Sequence, residues 1–332
     1  MHFLYECVQY FKLNHYLCTQ ILNRLEKQME TIKNFNDLIS HLSQLGERKR
    51  VAIVWASDDH TQSAVAMGLE KGFIDAIFFG ARHEVETSEV LKPYFDHITI
   101  FDADDKDDAA NKAVACVREG NADVLMKGLI NTDNLLHAVL NKETGILPKG
   151  RVLTHVTATS IPSYSKLIFF TDPAVIPYPT QEQRMEQVRY VSELCHSFGI
   201  KEPRLSLIHC TEKPNEKFFP FTMGYADIIE EAKKGTFGKC IVDGPLDVKT
   251  SCDLEAMETK GIDSPIQGEA DALIFPDIES GNVFYKTVTL FCNAETAATL
   301  KGPLAPVVLT SRGDSIESKF YSLALAVIST NK

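Results

Sequence analysis

Short apolar runs alternate with helix-like stretches along the first half of the chain. The runs indicate buried strands at residues 51–55, 76–79, 98–101 and 124–126. A helix over residues 35–45 precedes them, because its apolar side chains recur at helical spacing. Strands that alternate with helices are typical of βαβ units, so the pattern predicts a mostly parallel sheet.

The same alternation resumes after a loop at residues 145–150 that contains Pro148. Further apolar runs indicate strands at residues 152–158, 167–171, 205–209, 240–242 and 272–275. The helix that packs with them carries apolar residues up to Phe198 and ends at Gly199 in the manner expected of a helix C-terminus. These runs predict a second α/β unit, with a domain boundary at the loop.

The last apolar run leads through a polar turn into a helix. Residues 305–309 indicate a strand, and Asp314 and Glu317 stand at capping-box spacing, so we expect the helix to start at about Ser315. Ser311, Arg312 and Gly313 then lie at the positive end of that helix. Free N–H groups, a hydroxyl and a guanidinium together suit a phosphate or a developing oxyanion. The alternative is an ordinary turn with an exposed arginine.

Lys127, Gly128 and Thr132 follow the strand at residues 124–126 and open the next helix. Ligands in open α/β sheets gather at the carboxyl ends of the strands, so a substrate could reach these residues. His155 lies inside a predicted strand among apolar neighbours, where a structural histidine is the default interpretation.

Net charge, the length of apolar runs and the cysteines indicate which partners and which location the protein has. The 332 residues carry a formal net charge of −11, which disfavours nucleic acid and anionic membranes as partners. No apolar run reaches the roughly 18 residues that a membrane helix requires. Eight cysteines without paired C-x-x-C spacing, in a chain without a recognisable signal sequence, predict reduced thiols and a cytoplasmic location.

Several cofactor motifs do not occur in the sequence. It contains no G-x-G-x-x-G fingerprint, no G-x-x-x-x-G-K-[ST] loop, no H-E-x-x-H and no G-x-S-x-G elbow. The acidic run at residues 102–108 is interpreted as a solvated turn that opens a helix, not as a metal site, because metal ligands must converge. We therefore predict no metal.

A further block, together with the Ser-Arg-Gly turn, carries a family resemblance. Residues 268–286 combine an apolar strand with Pro276-Asp277, Gly281-Asn282 and Tyr285-Lys286, and the Ser-Arg-Gly turn follows later. This order resembles the phosphate acetyltransferase and butyryltransferase family. The segment from Met126 to Gly145, the pair His155-Val156 and the pair Thr171-Asp172 are similar to its butyryltransferase branch. The resemblance covers about residues 29–328.

The resemblance implies a fold and a domain division. The fold is two doubly wound α/β domains with mostly parallel sheets and a cleft between them, like isocitrate and isopropylmalate dehydrogenases. Residues 30–150 plus 301–332 would form domain 1 and residues 151–300 domain 2, while residues 1–29 would be an extension of unknown role. Members assemble as homodimers or larger homo-oligomers.

It also implies a reaction, in which an acyl group moves between CoA and inorganic phosphate without a permanently bound cofactor. Arg312 and Ser311 would stabilise the reacting phosphate and oxyanion. The thiol base would be Asp314 or Glu317, because the position of the family aspartate holds Ser318. The substrate-binding residues that the resemblance and the strand positions indicate are Lys127, Gly128, Thr132, His155, Asp277, Asn282, Lys286 and Gly313.

Three alternatives remain beside a butyryl-preferring enzyme. One is a phosphate acetyltransferase. Another is a metal- and NAD-dependent decarboxylating dehydrogenase, which would need several aspartates around a divalent ion. The third is a nonenzymatic CoA-binding relative, which would bind CoA without phosphate-dependent turnover.

Overall fold

The computed structural model describes residues 31–310 and 313–330. The predicted extension at residues 1–29 lies outside them, and so do Ser311 and Arg312. From Ile32 onwards the described residues cluster as one compact unit.

Eleven strands in the described residues form one sheet. Their bounds are β1 Lys49–Val54, β2 Ile74–Phe79, β3 Ile98–Phe101, β4 Val124–Lys127, β5 Thr154–Ser160, β6 Ile168–Thr171, β7 Arg204–Ile208, β8 Ile241–Leu246, β9 Ala272–Ile274, β10 Glu295–Lys301 and β11 Val307–Val308.

Helices connect these strands in the described part of the chain. The α-helices are α1 Phe35–Leu45, α2 Asp59–Glu70, α3 Arg82–Glu86, α4 Lys106–Arg118, α5 Thr132–Leu140, α6 Gln181–Ser197, α7 Tyr225–Lys233, α8 Val248–Cys252, α9 Leu254–Thr259, α10 Ile278–Phe291 and α11 Ile316–Ile328. Two 3₁₀ helices span Lys92–His97 and Pro220–Gly224.

The strand order is β3-β2-β1-β4-β11-β10-β5-β6-β9-β7-β8. Strands pair in parallel within each end of the sheet, while β10 pairs antiparallel with both β11 and β5, and β5 pairs antiparallel with β6. The predicted class, α/β with mostly parallel strands, is confirmed. The division into two domains at residues 150 and 301 stays a prediction.

Apolar residues fill both faces of the sheet, as expected for parallel strands covered by helices. In β1, Val51 and Ile53 join one buried cluster, and Ala52 and Val54 join another. Helices α1, α2 and α11 contribute to the first cluster, and α4 and α5 contribute to the second. The N-terminal strands therefore lie between two helical layers, which leaves their carboxyl ends open.

Local signals set several helix ends, among them the predicted end of α6 near Gly199. Asn34 caps α1, since its side chain accepts a hydrogen bond from the Asp37 N–H at 2.9 Å. Helix α6 begins with a capping box of Thr180 and Gln183, and Gly199 follows its end with a φ of 80°.

The capping box predicted for α11 is wrong. The N-cap is Ser315, whose hydroxyl accepts a hydrogen bond from the Ser318 N–H at 3.1 Å, and the helix begins at Ile316. A serine hydroxyl caps a helix about as well as an aspartate does, so the cap moves one residue along the chain. Asp314 is thereby not the cap of this helix.

Candidate active site

A pocket of about 530 Å³ opens at the carboxyl ends of the parallel strands β4 and β11. The N-terminal turn of α5 forms one side of it. The lining residues are Lys127, Ile130, Asn131, Thr132, Asp133, Asn134, Leu309 and Thr310. The N-terminal turn of α5, where the helix dipole is positive, therefore borders the cavity, and such a helix end favours an anion.

Two buried lysines meet at Thr310 beside this pocket. The Nζ of Lys127 lies 3.5 Å from the carbonyl oxygen of Thr310, and the Nζ of Lys319 donates a hydrogen bond to its Oγ1 at 3.2 Å. Lys127 is 3% exposed, Lys319 4% and Thr310 5%. Two positive charges held at the end of one strand add to the preference of the site for an anion.

Asp58 and Asp314 balance part of this charge. Burial lowers the pKa of Lys319, while the carboxylates of Asp58 and Asp314 act in the opposite direction. Asp58 also caps α2, because it accepts a hydrogen bond from the Thr61 N–H at 2.9 Å. The loop after β1 and the turn before α11 therefore face the same ammonium group.

The predicted pocket residues beside Lys127 differ in what they contact. Thr132 is exposed at the first position of α5, in the pocket lining. Gly128 packs against backbone: a Cβ there would lie 2.5 Å from the Val54 carbonyl oxygen and 2.7 Å from that of Trp55. Only glycine permits this close approach of two strand ends.

Around the turn predicted at Ser311 and Arg312, the structure describes only the flanking residues. Thr310 precedes it, and Gly313 and Asp314 follow it, Gly313 being exposed and Asp314 half-buried. His60, near the start of α2, donates from Nδ1 to the carbonyl oxygen of Asp314 at 3.2 Å. This contact ties the C-terminal side of the turn to the N-terminus of α2.

His155 is half-buried in β5 within the electrostatic reach of the same turn. Burial lowers the pKa of His155, and the carboxylates of Asp172 and Asp314 oppose that shift. Its Nδ1 lies 3.3 Å from the Thr157 hydroxyl oxygen. The imidazole is therefore neutral at pH 7 and lies near two carboxylates.

Asp172 is buried and accepts five hydrogen bonds. One carboxylate oxygen accepts from the Thr154 hydroxyl at 2.8 Å and from the N–H groups of His155 and Ile176 at 3.2 Å each. The other accepts from the N–H groups of Ala174 and Val175 at 2.9 Å. The carboxylate joins the start of β5 to the loop after β6, so it holds the backbone of His155 in place.

The two candidate bases and the family aspartate position have different surroundings. The hydroxyl of Ser318 donates to the Thr296 carbonyl oxygen at 3.2 Å, and Glu317 is exposed in the first turn of α11. Asp314, in contrast, acts on the pKa of Lys319 and His155, and it contributes to the raised pKa of Tyr285, whose main cause is burial. Of the two carboxylates, Asp314 influences the pKa of three neighbouring groups, whereas Glu317 influences that of Tyr321.

The remaining predicted residues lie on α10. Asp277 caps that helix by accepting a hydrogen bond from the Ser280 N–H at 2.8 Å, and Asn282 donates to the Pro173 carbonyl oxygen at 3.0 Å. Lys286 is exposed, with its Nζ 4.9 Å from the ring centroid of Tyr285. None of the three is in the lining of the pocket at β4 and β11. Tyr285 is the residue of α10 that links this helix to Asp314, because the Asp314 carboxylate contributes to its raised pKa.

Three residues near the pocket were not predicted from the sequence, namely Thr310, Lys319 and His60. Lys319 does leave a signal, because it is a charged residue on the face of α11 that buries Phe320 and Leu323. Such an interruption of an apolar face indicates a buried charge with a local partner.

In residues 31–310 and 313–330, no group of three or more His, Cys, Asp or Glu side chains is arranged to hold a metal ion. No helix of the same residues is both long and apolar enough to cross a bilayer.

Comparison with known proteins gives consistent matches over this chain. A phosphate butyryltransferase from Clostridium acetobutylicum is 37% identical over 299 residues, which are 90% of this chain and 98% of the relative. A phosphate acetyltransferase from Thermotoga maritima is 34% identical over 284 residues, which are 85% of this chain and 96% of the relative.

A solved structure agrees with these relatives. The branched-chain phosphotransacylase from Enterococcus faecalis V583 superposes with a TM-score of 0.74 and 31% identity, covering 85% of this chain and 99% of its own. The family described as phosphate acetyl/butaryl transferase matches residues 95–327. The chain therefore belongs to the phosphate acetyl/butyryl transferase family.

Proposed function

We propose that this protein transfers a short-chain acyl group, preferably butyryl, between CoA and inorganic phosphate. Family membership supports the reaction class. The observation that supports the site assignment is the pocket lined by buried Lys127, the N-terminus of α5 and Thr310. Thr310 directly precedes Ser311 and Arg312 in the sequence. CoA and acyl-CoA are substrates in this proposal, and no cofactor is permanently bound.

The reaction sets clear demands on such a site. A phosphate oxygen forms a bond to the thioester carbon, the carbon–sulfur bond breaks, and the sulfur leaves as the CoA thiol after taking a proton. The intermediate carries negative charge on the former carbonyl oxygen beside a phosphate. Donors held in advance around that charge give the largest stabilisation, and a base near the thiol serves the reverse direction.

Arg312 and Ser311 take the roles of phosphate ligand and oxyanion donor in this proposal. Arg312→Ala should lower kcat by about 10²- to 10³-fold, the cost of removing one strong oxyanion donor. Arg312→Lys retains the charge and loses the two-pronged fork, so it should recover only part of the rate. Circular dichroism would show that both variants fold, and retained turnover in the alanine variant would contradict the assignment.

For the thiol base we favour Asp314 over Glu317. Asp314 is half-buried and acts on three neighbouring ionisable groups, whereas Glu317 is exposed. Asp314→Asn should lower the rate of CoA attack on the acyl phosphate by about 10²- to 10⁴-fold and remove the acidic limb of the pH–rate profile. Glu317→Gln is the matched control, and an equal loss in both variants would contradict the choice.

Lys127, Thr132 and Gly313 are proposed to contact the phosphate, since the first two line the pocket and the third follows Arg312. Gly128 contributes by allowing the strand end to close on Trp55. His155, Asp277, Asn282 and Lys286 are proposed to contact the CoA side of the substrate.

The acyl preference is a small energetic difference. Two additional buried methylenes contribute about 1.6 kcal/mol at about 0.8 kcal/mol each, or about fifteenfold. Initial rates with acetyl-, propionyl-, butyryl- and isobutyryl-CoA would measure it. A maximum with acetyl-CoA would reassign the chain to the acetyltransferase branch.

Assembly into a homodimer or larger homo-oligomer is part of the proposal. Helix α10 exposes apolar side chains, with Val283 66%, Leu290 70% and Phe291 77% exposed. Apolar side chains this exposed on one helix are typical of surfaces that are covered by a partner. We also propose a cytoplasmic location, which suits the free thiols of the described cysteines, Cys116, Cys195, Cys210, Cys240, Cys252 and Cys292.

One assay tests the function directly. Purified protein is mixed with butyryl-CoA, and free thiol is measured with and without inorganic phosphate, in the absence of NAD and added metal. Phosphate-dependent thiol release supports the transferase. Binding of CoA without release would indicate a nonenzymatic relative, and a requirement for NAD and a metal would indicate a dehydrogenase.

A further inference from the structure

Lys319 is a buried ammonium group within an apolar helix. Its neighbours Phe320, Leu323 and Ala324 are buried in the core, and Lys319 itself is 4% exposed. Burying a lysine is costly unless its ammonium meets acceptors. Its Nζ donates to Thr310 Oγ1 at 3.2 Å, so the side chain reaches from α11 back to the end of β11.

This hydrogen bond determines that the Thr310 hydroxyl oxygen acts as an acceptor towards Lys319. A lysine ammonium has donors only, so Thr310 Oγ1 is the acceptor and its own hydrogen must point elsewhere. Among the described residues, no acceptor is found for the Thr310 hydroxyl hydrogen, although the residue is 5% exposed and lines the pocket. A buried hydroxyl donor of this kind requires an acceptor, and the pocket can supply one.

Two cations act on Thr310 at once. Lys127 Nζ lies 3.5 Å from its carbonyl oxygen while Lys319 donates to its hydroxyl oxygen. An acceptor that receives a hydrogen bond from a cation becomes a stronger donor in turn, because linked hydrogen bonds polarise one another. The Thr310 hydroxyl is therefore a strengthened donor, and Thr310 directly precedes Ser311 and Arg312 in the sequence.

We infer that Lys319 is a positioning residue that turns the Thr310 hydroxyl into the pocket, where Thr310 donates a hydrogen bond to an oxygen of inorganic phosphate. The inference rests on the proposed function and adds two residues to its phosphate site. Phosphoryl oxygens also occur in CoA, so both substrates carry acceptors that suit this donor. The kinetic constants for the two substrates distinguish them.

The test uses Thr310→Val, Thr310→Ser, Lys319→Met and the double variant Thr310→Val with Lys319→Met. Thr310→Val should raise the KM for phosphate by about 10- to 100-fold, the loss expected for one hydrogen bond to a charged group, while the KM for butyryl-CoA stays within about twofold. Thr310→Ser retains the hydroxyl and should retain the phosphate KM. Lys319→Met should reproduce part or all of the Thr310→Val effect.

The double variant separates positioning from independent effects. If Lys319 acts through Thr310, adding Lys319→Met to Thr310→Val should change the phosphate KM no further. Three results would overturn the inference. In the first, the effects of the two changes on the phosphate KM multiply in the double variant. In the others, the phosphate KM of Thr310→Val is unchanged, or the butyryl-CoA KM alone shifts.

A binding measurement keeps this test separate from the proposed function. Inorganic phosphate should raise the Tm of the wild type and of Thr310→Ser but not that of Thr310→Val or Lys319→Met. Absence of phosphate-dependent thiol release in the wild type would refute the reaction, whereas an equal Tm rise in all four proteins would refute the role of Thr310 and Lys319.

Discussion

Replacing Asp172 by Asn should destabilise the protein far more than the same change at Asp277. The Asp172 carboxylate is 2% exposed, and its two oxygens accept hydrogen bonds from the Thr154 hydroxyl and four backbone N–H groups. An asparagine offers one acceptor oxygen and one NH₂ group. In either orientation of the amide, the NH₂ group faces two backbone N–H groups that cannot turn away.

The magnitude follows from those unpaired donors. Each buried donor left without an acceptor costs about 1–3 kcal/mol, so Asp172→Asn should lower the free energy of unfolding by about 3–5 kcal/mol. Asp277 accepts one hydrogen bond from a backbone N–H, as the N-cap of α10. Asparagine caps helices as well as aspartate does, so Asp277→Asn should change stability by less than about 0.5 kcal/mol.

Urea unfolding followed by circular dichroism measures both variants under the same conditions. An Asp172→Asn variant within about 1 kcal/mol of the wild type, or equal to Asp277→Asn, would refute the reasoning. In that case the five contacts would not constrain the loop after β6, and the backbone of His155 would need another support.

Three further predictions concern backbone contact, protonation and assembly. Gly128→Ala should cost about 2–3 kcal/mol, because its Cβ would lie 2.5 Å from a β1 carbonyl oxygen, whereas Gly313→Ala meets no atom within 4 Å and should unfold like the wild type in urea. Burial lowers the pKa of His155, so the unfolded state binds more protons than the folded state and stability should fall as the pH drops below about 6.5. Unfolding measured across that pH should show a flatter dependence in His155→Gln, and an unchanged slope would contradict the burial of the imidazole. Replacing Leu290 and Phe291 on α10 by serine should reduce the mass measured by light scattering if this face joins subunits, and an unchanged oligomer would place the interface elsewhere.

The family could be identified from the amino-acid sequence alone, because whole blocks of residues encode it. Pro276-Asp277, Gly281-Asn282 and the Ser-Arg-Gly turn occur in order, and the comparisons confirm the family. The place of each site residue in the reaction stays a prediction. Asp277 illustrates the reason, because its side chain caps helix α10 in the structure. The motif by itself does not reveal this local contact.

Strand β10 could not be predicted from the pattern of apolar residues alone. Its sequence, Glu295 to Lys301, mixes alanine, threonine and charged ends, and no apolar run marks it. It nevertheless pairs with β5 and β11 near the middle of the sheet. Burial by neighbouring strands and by α11 stabilises it, and these contacts come from residues distant in sequence.

By itself, the sequence determined the parallel strands of the N-terminal part, helix α1, the end of α6 and the family, because apolar periodicity and end signals act over a few residues. Only the tertiary structure decided that Ser315 rather than Asp314 caps α11, that Asp172 gathers five donors, and that Lys319 meets Lys127 at Thr310. Such partners are chosen by packing between distant segments. A lysine on an apolar helix face indicates that a charge is buried, and the fold alone specifies which hydroxyl receives its hydrogen bond.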